Sequence, residues 1–228
     1  MTRRRHALIA GGGGVLGQAI ARELASAGCA VSSLRRSMDV ADTPDVHTLA
    51  CDLPDPSALR TAIDRAVSDR GPVEVLVCNA AHLAIAPISE LSAEDFDTSL
   101  SVGVGVAFHA VQAVLAPMLA RGSGTILFSG ATASLRGSAR FAALAAAKFA
   151  LRGFAQALAR ELQPQGIHVA HVVLDGLLLG SHSVRRFGGA NSRAIDPAEA
   201  ARAYRWLAEQ NPSAWTQELD LRPHGERF

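Results

Sequence analysis

The stretch HALIAGGGGVLG, residues 6–17, runs from five mostly apolar residues straight into four consecutive glycines and then into Val15, Leu16 and Gly17. A short run this uniformly apolar reads as a strand buried on both faces, the habit of parallel sheets. Beyond it, from Gly14 to Ala27, Leu16, Ile20 and Leu24 recur at helical spacing, and Gly28 supplies a C-terminal stop. The order is therefore strand, glycine turn, helix. Glycines let the backbone turn sharply and come close to a ligand, while the first N–H groups of a helix are free to receive an anion. A glycine pattern by itself says little. Its place between first strand and first helix suits it to the phosphates of a dinucleotide.

The same alternation continues outward along the chain. Cys29–Leu34, Val46–Ala50, Val73–Cys78, Thr125–Ser129, Ile167–Val173 and Trp215–Leu221 read as further strands. Between them, Asp55-Pro56 and Asp196-Pro197 each place a capping acid before a proline at the first helical position. Ser92 and Asp95 resemble a capping box for a long helix through Leu119, which Pro117 should bend or end. Leu144, Leu151 and Leu158 stripe one face of a segment that reaches Leu162, and the link Arg36–Asp45, with Pro44, reads as a loop or stunted helix. Strand–helix–strand repetition implies right-handed crossovers. The expected fold is α/β: a single domain built on a doubly wound parallel sheet of about seven strands, with helices on both faces.

Composition agrees. Hydrophobic residues make up 49% of the 228 and aromatics only 5%, so the core must be assembled from Ala, Val, Leu and Ile. Net charge is +1, which gives no footing for nucleic acid or an acidic membrane surface. Cys29, Cys51 and Cys78 adjoin apolar runs without a metal or disulfide spacing, which suggests buried thiols and a reducing, cytoplasmic setting. Arg3, Arg4 and Arg5 before an apolar run imitate a signal peptide, and residues 26–29 imitate a lipidation site, but the glycines and then Arg22 and Glu23 interrupt the run. No stretch is expected to reach the ~20 apolar residues of a membrane span.

The second strand ends in Arg35-Arg36-Ser37. A carboxylate at this point would receive a ribose 2′-hydroxyl and repel a 2′-phosphate; a guanidinium fork binds the phosphate. NADP(H) is thus expected over NAD(H).

With these residues in view, the chain resembles the short-chain dehydrogenase/reductase family over nearly its whole length. The family's turn, Thr-Gly-x-x-x-Gly-x-Gly, aligns on Ala10, Gly11 and Gly17, with Val15 at the middle glycine and Gly13 and Gly14 freeing the turn before it. The resemblance implies that Gly11, Gly13, Gly14, Leu16 and Gly17 hold the pyrophosphate and that Arg35 and Arg36 meet the 2′-phosphate. It further implies that Asp52 and Leu53 border the adenine, Asn79 and Ala80 the adenosine ribose, and Lys148 the nicotinamide ribose. Leu177–Arg193 aligns with the family's mobile substrate loop, and Asp175 replaces the glycine that contacts the nicotinamide. It implies as well a small-molecule substrate and a homo-oligomer, a dimer or tetramer formed through long helices such as Ala139–Leu162.

The departures are chemical. The family combines a Tyr proton donor, a Lys four residues later, a carbonyl-polarising Ser and an Asn that supports a water relay. Here Lys148 stands at the Lys position, but Leu144, Ala131 and Gly103 stand at the other three. The sole tyrosine, Tyr204, is far downstream and is not expected to share the face of Lys148. Losing a general acid removes ~10²–10⁴-fold, roughly 3–5 kcal/mol of barrier, unless something replaces it. Thr132, Ser134 and Arg140 are the nearest substitutes, His82 and His109 more distant ones, and each also has a bland reading as a cap or surface group. The motifs around residues 124–137, 141–149, 166–176 and 213–223 look like an atypical subgroup of the family that lacks the Ser and Tyr. Three functions follow from the resemblance: an oxidoreductase of non-standard mechanism, a catalytically silent NADP(H)-binding sensor or partner subunit, or a non-redox cyclase or isomerase on the same scaffold.

Overall fold

His6–Ala10 forms β1, buried along its entire length, and it is an interior strand of a seven-stranded sheet. The structure, a computed structural model, describes residues 4–36, 45–187 and 194–225. β2 (Ala30–Arg35) and β3 (Val46–Ala50) lie to one side of β1; β4 (Val75–Cys78), β5 (Gly124–Ser129), β6 (Ile167–Leu174) and β9 (Glu218–Leu221) lie to the other. The order is β3-β2-β1-β4-β5-β6-β9 and every pairing is parallel. This is the expected doubly wound α/β architecture. Successive connections leave β1 in opposite directions toward β2 and β4, and the crevice beyond the strand ends at such a reversal is where ligands of open sheets bind.

Two apolar layers sandwich the sheet. On one face α1 (Val15–Ser26) and α7 (Pro197–Ala208) bury Leu16, Ile20, Leu24, Tyr204 and Leu207 against Ala7, Ile9, Val31 and Val172. On the other, α2 (Pro56–Arg70), α4 (Val106–Arg121) and α5 (Ala142–Leu162) bury Leu59, Ile63, Val111, Met118 and Leu151 against Leu8, Leu76, Ile126 and Phe128. Each such aliphatic side chain contributes roughly 1.5–3 kcal/mol by leaving water. The caps form as read: Asp55 Oδ1 accepts from Ser57 and Ala58 N–H, and Asp196 Oδ1 from Ala198 N–H. Gly28, at φ +88°, ends α1.

Two local readings need correction. The long helix begins at α3 (Ala93–Leu100), passes through a π turn at Ser101–Gly105 and runs on through Pro117 to Arg121. Proline removes one backbone bond near the helix end, and Val114 and Met118 on either side of it are buried. The same helix, Ala93–Arg121, has a window of mean hydropathy 1.7 and is long and apolar enough to cross a membrane by length and composition. The expectation that no stretch is that apolar therefore fails. Its inner face fills the core, while Phe108 and Leu119 stay exposed. Within the segment aligned with the family's substrate loop, β7 (Leu177–Leu178) pairs with β8 (Ala194–Ile195), and α6 spans His182–Phe187. Most of the Arg36–Asp45 link lies outside the described residues.

Candidate functional site

Gly11 leaves β1 at φ +101°, and a Cβ there would lie 2.5 Å from the Ala80 amide nitrogen. Only glycine fits a left-handed turn pressed against another backbone. The first residue after β4 locks the contact: Asn79 N–H donates to Ala10 O, and its side-chain amide donates to Gly11 O at 2.9 Å. Asn79 and Ala80 thus hold the turn as well as border it. At Gly17 a Cβ would meet Gly11 O at 2.5 Å, so this residue seats the helix on the turn. Gly14 is different. It is the N-cap of α1 with no side-chain cap, and a Cβ built on it meets nothing within 4 Å. The first turn of α1 holds no acidic residue to repel an anion at its N–H groups. That is the geometry a pyrophosphate requires, and the turn fits it despite Val15.

The neighbouring strand ends complete the cleft. Arg35 lies beside the turn, its Cβ 3.4 Å from the Cβ position of Gly13, and its Nη2 donates to Thr48 Oγ1 at 3.0 Å. Arg36 is exposed at the margin of the described residues. Asp52 is exposed after β3, and Leu53 beside it is buried. Gly11, Gly13, Gly14, Gly17, Arg35, Arg36, Asp52, Leu53, Asn79 and Ala80 thus gather at the C-terminal edge of four adjacent strands. Leu16 turns inward, 3% exposed, into the core under α1.

Lys148 lies on the opposite side of β4. It is 4% exposed, on the inner face of α5, and its Nζ donates to the carbonyl of Ser129 at 2.6 Å. Among the described residues that carbonyl is the amine's one hydrogen-bond partner, and it carries no charge. Burial drives the lysine pKa down from 10.5 to about 8. Near it stand Gly103, Leu144 and Ala131. A Cβ at Gly103, in the π turn, would come within 2.9 Å of Ala147 Cβ, so the glycine lets the long helix approach α5 beside the lysine. Leu144 stands one turn earlier on α5, half buried. Ala131 contributes only its amide, which donates to Ser134 Oγ at 3.1 Å.

The substitute donors scatter. Thr132 is close by but its hydroxyl donates to Asp175 Oδ1 at 2.6 Å. Asp175 is 1% exposed and is also paired with Arg222 and Arg136, at 3.1 and 3.5 Å. Ser134 is fully buried and caps its own turn. Arg140 is exposed, at φ +70°, and offers its carbonyl to Ala86 N–H. His82 pairs with Asp95, and His109 stacks edge-on to Phe108. Tyr204 sits on the far face of the sheet, where its hydroxyl meets Ser129 Oγ at 2.7 Å and burial raises its pKa.

Residues 5–178 match the short chain dehydrogenase family. The chain belongs to that family. Among curated relatives, a 3-dehydrosphinganine reductase of Arabidopsis thaliana is 32% identical over 178 residues, 72% of this chain and 53% of the reductase. The chain therefore spans about half the length of that relative. A short-chain dehydrogenase from Rhodopseudomonas palustris superposes with a TM-score of 0.84 at 32% identity, covering 97% of this chain and 100% of the other. The fold does not choose a coenzyme: its solved members include an NAD+-bound xylitol dehydrogenase and a Burkholderia cenocepacia gluconate 5-dehydrogenase in complex with NADP and tartrate.

A buried polar cluster beside Lys148 escaped the sequence reading. His171 in β6 is fully buried, and its Nδ1 lies 3.0 Å from Glu218 Oε2 in β9. Arg152, one turn beyond Lys148 on α5, holds Glu218 bidentately at 2.6 and 2.7 Å. The available signal was a histidine inside the apolar run IHVAHVVL and a glutamate alternating with leucines in the last strand.

Proposed function

We propose that this chain is an NADP(H)-dependent oxidoreductase in which the Lys148 amine, and not a phenol, moves the proton, and that it stands with the atypical family members lacking Ser and Tyr. The observation behind this reading is a fully buried lysine held only by a backbone carbonyl, at the position the family uses beside the nicotinamide. A desolvated amine with a pKa near 8 is matched to acid–base work near neutral pH. When bound, the coenzyme supplies or accepts the hydride. The chain does the rest: the α1 N-terminus and the turn at Gly11–Gly14 receive the pyrophosphate, Arg35 and Arg36 attract the 2′-phosphate, and Lys148 gives a proton to the developing alkoxide or takes one from the alcohol. Hydrocarbon at Leu144, Ala131 and Gly103 keeps water from competing for that proton.

The test has two stages. Fluorescence titration should show NADPH binding more tightly than NADH, and Arg35→Asp should weaken NADPH by ~10²-fold while changing NADH far less, because a charge-assisted contact becomes a repulsion. A panel of ketones, aldehydes, imines and enones should then oxidise NADPH with wild-type protein, and Lys148→Met should abolish the turnover. NADPH binding without turnover on any substrate would leave a silent binding protein; conversion without coenzyme would leave a cyclase or isomerase.

A further inference from the structure

Asp175 directly follows β6 and is buried, a costly place for a carboxylate without partners. Groups from three segments hold it. Thr132, in the turn after β5, donates its hydroxyl to Oδ1 at 2.6 Å; Arg136, four residues on, reaches the same oxygen at 3.5 Å; Arg222, just past β9, meets Oδ2 at 3.1 Å. The two arginines are not equivalent. Arg222 has a side chain only 19% exposed and also grips Asp220, so its charge is shared between two carboxylates. The Arg136 side chain is 47% exposed, and among the described residues Asp175 is its one partner. A half-exposed ion pair at such a distance contributes little to stability. Its consequence is geometric: one edge of the guanidinium is held from beneath and the rest is left unpaired.

The turn that carries Arg136 lies at the Lys148 end of the cleft. It begins beyond Ser129, whose carbonyl accepts from Lys148, and it returns to α5 at Gly137, whose Cβ position is 3.8 Å from Ala145 Cβ, next to Leu144. α6 covers the same end of α5: Phe187 packs on Phe141, the N-cap residue, with ring centroids 6.1 Å apart. Arg186 sits exposed beside the Phe187 ring, and Arg140 immediately precedes Phe141. Neither residues 135–140 nor α6 contain an acid. The exposed charge around this end is therefore cationic, while the one carboxylate beneath it is already paired.

We propose that Arg136, held at one edge by Asp175, anchors the substrate, and that the substrate is an oxo or hydroxy acid whose carboxylate lies on Arg136 while its carbonyl or alcohol meets Lys148. This names the substrate class of the site read above and rests on that reading of Lys148. A planar fork offers two parallel N–H donors, which match the coplanar oxygens of a carboxylate. Arg140 and Arg186 add a positive field at the mouth, one that draws anions in and weakens with salt. The reaction is otherwise unaltered: in reduction the carbonyl carbon takes hydride from NADPH, its oxygen takes the Lys148 proton, and the carboxylate is unchanged.

Calorimetric titration of the full chain with saturating NADP+ reads the anchor without turnover. Lactate or β-hydroxybutyrate should bind, and the corresponding amide should bind ~10-fold more weakly or worse. Arg136→Met should weaken binding of the acid by ~10²-fold and Arg136→Lys by ~10-fold, the scale of a charge-assisted fork lost or reduced to a point charge, with NADP+ affinity unchanged. In turnover, Arg136→Met should raise KM for the oxo acid far more than it lowers kcat, and salt should raise the wild-type KM. Should Arg136→Met not fold, the acid-against-amide comparison on the wild type decides. Neither acid binding, the amide binding equally well, or Arg136→Met binding the acid as tightly as wild type would each overturn the anchor. Inorganic phosphate binding more tightly than either acid would overturn the carboxylate. Arg136-dependent acid binding with no oxo acid reduced would overturn the role of Lys148 and keep the anchor; reduction of neutral ketones with no preference for oxo acids would do the reverse.

Discussion

Lys148→Met should raise the melting temperature at pH 7 by about 4–8 °C while removing activity, and the gain should fade as the pH is raised to 10. The lysine pKa falls from 10.5 to about 8 on folding. That difference, 10.5 − 8, is about 2.5 units, so keeping the ammonium in its buried site costs on the order of 3 kcal/mol. Methionine has a similar shape and no charge to desolvate, but it leaves the Ser129 carbonyl without its donor, which costs ~1 kcal/mol. The net gain is ~2 kcal/mol, and a chain of this size shifts by ~2–4 °C per kcal/mol. The pH dependence has a definite sign. A base with a depressed folded pKa leaves the unfolded chain binding more protons between pH 8 and 10.5, so wild-type stability rises through that window. The penalty is whole below pH 8 and relieved above it, whereas the methionine variant has no penalty to relieve. Scanning calorimetry of both proteins at pH 7 and pH 10 gives the answer. A wild type as stable as the variant at pH 7 would mean that a carboxylate or other anion compensates the amine.

On the proposed reading, the stability lost by burying the Lys148 ammonium is exchanged for its acid–base chemistry. Leu144, Ala131 and Gly103 are easy replacements for an apolar pocket; Lys148 is not. A chain that needed only a fold would gain by losing the lysine.

Much of this was legible in the sequence, and the reason is periodicity. The strands of a parallel sheet are apolar on both faces, so β1 through β6 announce themselves as runs, whereas their order in the sheet comes from the structure. The glycine turn was legible because backbone crowding restricts residue type: a Cβ at Gly11 or Gly17 would lie 2.5 Å from a backbone atom. What stayed hidden depends on contacts distant in sequence. Arg152, His171 and Glu218 come from a helix and two strands, and each alone is an ordinary polar residue in an amphipathic element. Asp175 was visible as a substitution, yet its pairing with Thr132, Arg136 and Arg222 depends on where the last strand docks. The apolar stretch within Ala93–Arg121 was missed because the helix does not stop where the sequence suggests a break, but continues through Ser101–Gly105 and Pro117.

The four glycines also look alike in sequence and should behave differently when changed. Gly11→Ala must adopt φ +101° with its Cβ 2.5 Å from a backbone nitrogen. Left-handed strain costs about 1–3 kcal/mol and forced contact with a packed neighbour a similar amount, so a loss of ~3 kcal/mol is expected, with coenzyme binding lost as the turn shifts. Gly14→Ala has an extended backbone at φ −80°, ψ 169° and open space around its Cβ. Its stability should stay within ~0.5 kcal/mol of wild type, as for surface changes generally. Its NADPH affinity should nonetheless fall by ~10-fold or more, about 1.4 kcal/mol, because the methyl occupies the space a phosphate needs above the α1 N-terminus. Chemical denaturation and coenzyme titration on the two variants separate the glycine that builds the turn from the glycine that receives the ligand. If Gly14→Ala bound NADPH as tightly as wild type, the pyrophosphate would lie elsewhere, and the open end of α1 would lose its assigned role.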